Sequence, residues 1–135
     1  MLIALNYLLN QLTFFIMINQ EVLRNRTKHF AIEIILFLKK MPVPYEDRIV
    51  TRQLLRSSTS VAANYRAACR SRSDADFYSK ICIVLEEADE TLFWLEIITE
   101  TGIINSEKMQ QLLEKATEFV KIFSTMRKSL KDKDS

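Results

Sequence analysis

Arginine is the residue type through which this chain could do chemistry. Between Asp47 and Asp74 lie six arginines, with no lysine and no acidic residue among them. A guanidinium group is a planar fork of hydrogen-bond donors that suits carboxylates and phosphates. On a continuous helix, five of the six would fall within an arc of about 80° and form an arginine ridge roughly 33 Å long. The residues of this arginine ridge are Arg48, Arg52, Arg56, Arg66 and Arg70.

The arginine ridge has two candidate partners, an external polyanion and an acidic protein surface. The helix predicted to follow it carries eight acidic residues against one lysine, a formal charge of −7, whereas the ridge segment carries +6. Opposite charges on consecutive helices can pair within a subunit or between subunits. Two hypotheses stay open: an accessory module that binds RNA or another nucleic acid, and a structural or protein-interaction module whose charges serve self-assembly only. The acidic residues are Asp74, Asp76, Glu86, Glu87, Asp89, Glu90, Glu96 and Glu100.

The acidic helix also carries a second apolar face, opposite the stripe expected to enter the core. Apolar and aromatic residues alternate there with two glutamates. A monomer seldom leaves a large apolar patch in water, so we expect this face to form an oligomer interface. The predicted interface residues are Ile83, Glu86, Glu90, Phe93, Trp94 and Ile97.

The sequence contains no residue pattern that is typical of catalysis or metal binding. A di-iron bundle needs Glu-x-x-His motifs, but the only histidine, His29, does not follow a glutamate by three residues. The only glycine, Gly102, cannot form a glycine-rich phosphate loop. Cys69 and Cys82 lack metal-ligand spacing and are interpreted as reduced thiols of a cytoplasmic protein. We therefore expect no enzyme activity, catalytic residue, metal, cofactor or small-molecule substrate.

Composition predicts an all-α fold to position these residues. The chain has 135 residues, of which 48% are hydrophobic, enough for one domain with a core. One glycine and two prolines cannot supply the turns that a sheet protein of this size needs. Apolar residues recur every three or four positions in four segments. These predicted helices run from about Gln20 to Met41, from about Arg48 to Arg72, from Asp74 to about Thr101, and from Asn105 or Ser106 to about Leu130.

Residues at the ends of these segments predict where the helices begin and end. Ser73 is placed as an N-cap, Gly102 as a C-terminal cap, and Thr51 as an alternative start of the second helix. Short connections favour antiparallel neighbours, so residues 19–130 are predicted to form an up-down-up-down four-helix bundle, with residues 131–135 frayed. The expected core stripes are Leu54, Ser58, Val61, Tyr65 and Ala68 on the second helix, and Phe77, Ile81, Val84, Leu85, Ala88, Leu92 and Leu95 on the third.

Residues 1–18 contain no charge and differ from the rest of the chain. They lack the basic region and the cleavage site of a signal peptide. Three interpretations stay open: a misassigned start with the true start at Met17, an apolar helix or tail packed in an oligomer, and a membrane anchor.

Several motifs resemble one known protein family. They are Gln53-Leu54-Leu55-Arg56, Ser60-Val61-Ala62-Ala63-Asn64, Asp76-Phe77 and the acidic run from Glu86 to Glu96. In this order and at these separations they resemble the four-helix bundle proteins encoded in intervening sequences of bacterial large-subunit ribosomal RNA genes. The resemblance spans about Glu21 to Leu130 and implies a homopentameric ring of bundles.

A more distant resemblance is to the accessory variability proteins of diversity-generating retroelements. It implies binding to nucleic acid, and to a nucleic-acid-processing protein such as a reverse transcriptase, through a basic surface. Many members of the first family have Asn-Ile-Ala-Glu-Gly where this chain has residues 64–68, with Arg66 among them. Glu86 and Glu87 also stand where relatives often have Gly-Ser. The first difference makes the arginine ridge more basic than the common pattern.

Overall fold

Four long helices form a helical bundle in the computed structural model, which describes residues 1–8 and 20–133. None of these residues lies in a β-strand, so the predicted all-α class is confirmed. A short 3₁₀ turn, Tyr45–Asp47, precedes the second helix, and residues 2–8 are helical as well. The four helices are α1 (Gln20–Lys39), α2 (Arg48–Ala68), α3 (Asp74–Thr101) and α4 (Glu107–Asp132).

Side chains at the helix ends explain most of these bounds. The hydroxyl of Ser73 accepts a hydrogen bond from the backbone N–H of Asp76 at 3.1 Å and so caps α3. Gly102 ends α3 with a φ of 71°, in the left-handed region that glycine adopts without a steric penalty. Asn105 and Ser106 were the two candidates for the N-cap of α4, and Ser106 is the cap. Its hydroxyl accepts a hydrogen bond from the backbone N–H of Lys108 at 3.2 Å.

The alternative start of α2 at Thr51 is wrong. The helix begins at Arg48, directly after the 3₁₀ turn, and Thr51 lies one turn inside it. Its hydroxyl donates back to the carbonyl of Arg48 at 3.0 Å instead of accepting from a free N–H ahead of it. The 3₁₀ turn already sets helical backbone geometry at Asp47, so no later cap is needed.

The core lies between all four helices. The predicted stripe of α2 is buried in full, and Ser57 beside it is buried too. The hydroxyls of Ser57 and Ser58 each donate to a carbonyl of their own helix at 3.2 Å, so these small polar residues are satisfied while α3 packs close by. On α3 the prediction is correct for all but two positions: Phe77 and Leu92 are only half-buried, at the edge of the core.

Helices α1 and α4 are joined by aromatic and charged contacts. The rings of Phe30 and Phe119 lie 5.3 Å apart. Arg26 pairs with Glu118, and Glu33 pairs with Lys108 and with Lys115, whose Nζ lies 2.8 Å from Glu33 Oε2. These contacts complete the circuit of helices around the core. Along α1, Arg26 contacts Glu118, Phe30 contacts Phe119, and Glu33 contacts both Lys115 and Lys108 of α4.

The two chain ends are described only in part. Residues 9–19, including the candidate start at Met17, and residues 134–135 lie outside the described residues. Helix α4 continues to Asp132, two residues into the segment that was predicted to fray. No helix in the described part of the chain is long and apolar enough to cross a membrane.

Candidate nucleic-acid interface

The first four residues of the arginine ridge lie on α2, and all five are exposed. Helix α2 ends at Ala68, where the backbone N–H groups of Arg70 and Ser71 donate to carbonyls three residues earlier at 3.0 Å. These tight bonds turn the chain toward the extended cap of α3. Arg70 therefore lies in the turn after the helix and departs from the continuous-helix geometry on which the ridge was predicted.

Arg56 is the member of the ridge that pairs with α3. Its guanidinium donates to the carboxylates of Glu90 and Glu87, the latter at 3.1 Å. The hydrogen bond from Arg56 lowers the pKa of Glu90, and the hydrogen bond to Glu90 raises the pKa of Arg56. Pairing of the two helices within a subunit, one of the two alternatives that the sequence left open, therefore exists at Arg56 with Glu87 and Glu90. Glu86 is exposed.

The other arginines of the ridge keep their donor forks accessible. Within residues 1–8 and 20–133, no carboxylate lies within ion-pair distance of any of them. Arg48 lies over the ring of Tyr45, with 5.8 Å between the guanidinium carbon and the ring centroid. An exposed guanidinium without a carboxylate partner is free to take up a phosphate. The four arginines are Arg48, Arg52, Arg66 and Arg70.

The predicted interface on α3 combines exposed and half-buried side chains. Phe93 is 48% exposed and Ile83 is 43% exposed, while Trp94 and Ile97 are half-buried. The rings of Phe93 and Trp94 meet edge to face at 5.0 Å. The indole N–H of Trp94 donates to Glu90 at 3.3 Å. Glu90 therefore contacts both the arginine ridge and the aromatic face.

A groove that the sequence did not predict lies between the end of α1 and the start of α2. It has a volume of about 750 Å³ and an apolar floor that includes Leu38, Val43 and Leu55. Lys39, Arg48 and Arg52 are the charged residues among its lining. Pro42 and Pro44 signal a break in the chain, but the space that opens beside it depends on the packing of two helices.

Cys69 and Cys82 are free, half-buried thiols. No group of three or more His, Cys, Asp or Glu side chains in the described ranges is placed to hold a metal ion. Burial raises the pKa of the Tyr65 phenol, which lies beside Cys69.

Comparisons with known proteins agree with the fold and the motifs. Residues 20–125 match the sequence profile of a family described as 23S rRNA-intervening sequence protein. The chain is similar to the crystal structure of a protein with unknown function from the S23 ribosomal protein family of Bacteroides thetaiotaomicron VPI-5482. The two are 33% identical with a TM-score of 0.71, over 81% of this chain and 97% of that one. No curated protein matches the chain.

Proposed function

The chain belongs to the family of 23S rRNA-intervening sequence proteins, and from this premise we propose that it is a non-enzymatic, self-associating helical bundle that binds RNA. The observation that carries the proposal is the exposure of Arg66 and Arg70 without acidic partners among the described residues. Two glutamates of α3 engage one arginine and leave the others available. Guanidinium forks that are free favour a polyanion such as the phosphate backbone of RNA.

The proposed architecture is an antiparallel up-down-up-down bundle that assembles into a homopentamer. Support for the antiparallel order comes from α1 and α4, since rising residue numbers on α1 pair with falling numbers on α4, as in Arg26 with Glu118 and Glu33 with Lys108. Support for assembly comes from Phe93 and Ile83, which a single bundle leaves in water. The family resemblance supports the number five.

The proposed RNA binding is weakly selective for sequence. Phosphate contacts fix position without reading bases, and Tyr65, the aromatic residue within the ridge segment, is buried in the core and cannot stack on a base. Such binding weakens with salt, because each phosphate that is neutralised contributes roughly −0.7 to −0.9 to the slope of log K against log salt concentration.

The experiment is a comparison of two double variants with the same change in charge. Arg66→Gln with Arg70→Gln removes two ridge cations, and Lys121→Gln with Lys128→Gln removes two exposed cations from α4. Binding to a fluorescein-labelled RNA hairpin is measured by anisotropy over a range of salt concentrations. We expect the ridge variant to bind on the order of tenfold more weakly, with a salt slope shallower by about 2, while the α4 variant stays within about threefold of the parent.

Two results would contradict the proposal. One is a parent protein that does not bind the hairpin at moderate salt. The other is equal weakening by both variants, which would mean that net charge rather than the arginine ridge attracts RNA.

The alternative function is a structural or protein-interaction module whose charges serve assembly only. The pairing of Arg56 with Glu87 and Glu90 favours it, because it shows that the ridge can be neutralised by acids of α3. This alternative holds if the parent shows no affinity for RNA and the Arg66 and Arg70 variant breaks the oligomer into smaller species.

A further inference from the structure

We infer that the groove between α1 and α2 receives the acidic, aromatic face of α3 from a second copy of this chain. The inference rests on the self-association in the proposed function and adds the surface on which α3 docks. It also assigns separate tasks to the two ends of the arginine ridge.

The groove has the chemistry of a site for an acidic and apolar partner. Its floor is apolar, its lining carries three cations, and no acidic residue lines it. Two large apolar residues adjoin the lining in sequence and are left in water: Leu36 is 51% exposed and Ile49 is 68% exposed. Burying such side chains against another apolar surface releases about 25 cal/mol for each Å² removed from water.

Helix α3 offers the complementary surface. Phe93 and Ile83 are exposed apolar residues on one face of the helix, and Glu86 is exposed between them. The helix as a whole has a formal charge of −7. An aromatic anchor that enters an apolar pocket with acids at its edge, opposite cations at the pocket's rim, is the usual arrangement of a well-packed interface.

Charge favours the contact of α3 with the groove over a contact of α3 with α3 of another copy. If α3 packed against α3 of another copy, the exposed acids Glu86, Asp89, Glu96 and Glu100 of both copies would be brought together. Pairing α3 with the groove instead brings acids to Lys39, Arg48 and Arg52. This contact joins two different surfaces head to tail, and head-to-tail contacts form a ring when the rotation from one copy to the next closes.

The arginine ridge is divided as a result. Arg48 and Arg52 lie in the groove and serve assembly, while Arg66 and Arg70 at the other end of α2 stay available for phosphate. The ion pair of Arg56 lies between the two groups.

The test uses one variant for each surface. Phe93→Glu blocks the α3 face at an exposed position, and Arg48→Glu with Arg52→Glu reverses the charge of the groove at two exposed positions in the first turns of α2. Acids there suit the helix dipole, so the groove variant keeps its fold. Lys121→Glu with Lys128→Glu, on α4, is the control with the same change in charge. Circular dichroism checks folding, and light scattering after size exclusion gives the mass.

We expect each blocked variant alone to be smaller than the parent and the control to keep the parental mass. Mixing the two blocked variants should then produce a heterodimer of about 32 kDa, twice the 15.8 kDa chain. The intact α3 face of the groove variant fits the intact groove of the Phe93→Glu variant. The other two surfaces are blocked, so growth stops at two chains.

Other outcomes overturn the inference in distinguishable ways. If Phe93→Glu dissociates but the groove variant keeps the parental mass, self-association stands and the groove assignment is wrong. Failure of the mixture to form the heterodimer, or recovery of the parental mass, also excludes the head-to-tail contact. A monomeric parent overturns the proposed self-association and the inference together.

Discussion

Glu90 connects the arginine ridge on α2 to the aromatic face of α3. Its carboxylate accepts hydrogen bonds from Arg56 of α2 and from the indole of Trp94 on its own helix. The first contact stabilises the packing of α2 against α3, and the second orients the largest aromatic side chain of the proposed interface. Loss of this carboxylate would leave Arg56 with Glu87 as its remaining acidic partner and with the side-chain carbonyl of Gln53, to which its Nε donates at 3.1 Å. A change at Glu90 therefore alters both the arginine ridge and the α3 face.

A residue-scale prediction concerns Glu33, which joins α1 to α4. Burial raises the pKa of Glu33, but hydrogen bonds from Lys108 and Lys115 outweigh it, so the pKa lies below its ordinary value of 4.5. A carboxyl group with a lowered pKa in the folded state stabilises the fold above its unfolded pKa, and this stabilisation is lost as pH falls through the folded value. We expect Glu33→Gln to lower the free energy of unfolding by about 1 kcal/mol at pH 7.

Urea denaturation at several pH values measures this difference. It should shrink as the pH falls from 4.5 through the lower pKa of the folded state. Glu114→Gln, at an exposed position on α4, serves as the control and should stay within about 0.5 kcal/mol of the parent at every pH. A Glu33 difference that persists unchanged in acid would show that the charge of Glu33 does not stabilise the fold.

At the scale of the element, α3 is fixed at both ends by local contacts. Ser73 caps its start, and Gly102 ends it in the left-handed conformation. A Cβ atom built on Gly102 would lie no nearer than 3.8 Å to the side chain of Asn105, which is ordinary contact. The cost of a side chain at this position therefore comes from the backbone alone.

The corresponding prediction is that Gly102→Ala lowers the free energy of unfolding by about 1 kcal/mol. Gly102→Asn is the matched control, because asparagine tolerates a positive φ, and it should cost clearly less. Urea unfolding followed by circular dichroism measures both. Equal costs for the two variants would mean that the positive φ is not what glycine provides here.

Helix caps could be predicted from the sequence, whereas contacts that depend on how the helices pack could not. Ser73 and Gly102 were identified because caps act on neighbours within a few residues. Which acids of α3 pair with Arg56 was less accessible to prediction, since it depends on how α3 is rotated against α2. The place of Arg70 depends on where α2 ends, and the chain gives no proline or glycine to mark that end. The groove arises from two helices and the loop between them, which periodicity does not describe.

At the scale of the whole molecule, the bundle buries its core but leaves apolar side chains outside. Phe93 and Ile83 on α3, and Leu36 and Ile49 beside the groove, are all exposed in the single chain. The two patches lie on different helices and differ in charge. We expect two such surfaces to pair head to tail between copies, which gives a closed ring when the rotation from one copy to the next closes.

The whole-molecule prediction is that Trp94→Glu gives smaller particles. A ring of five would have a mass of about 79 kDa, five times the 15.8 kDa chain. Glutamate removes a large aromatic from the interface and places a charge in its pocket. Trp94→Phe is the control: it keeps the apolar ring, loses the hydrogen bond to Glu90, and should keep the parental mass. Light scattering after size exclusion measures both, and a Trp94→Glu protein of parental mass would place the interface elsewhere.

Trp94 also makes the unmodified chain its own fluorescent reporter. It is the single tryptophan among 135 residues, and it lies half-buried on the face proposed to meet another copy. Excitation at the long-wavelength edge of protein absorption selects this indole over the four tyrosines. If the proposed assembly forms, we expect its emission to move to shorter wavelengths as a second subunit excludes water and to return when the protein is diluted. The dissociation constant of the proposed assembly can then be measured without a label or a mutation.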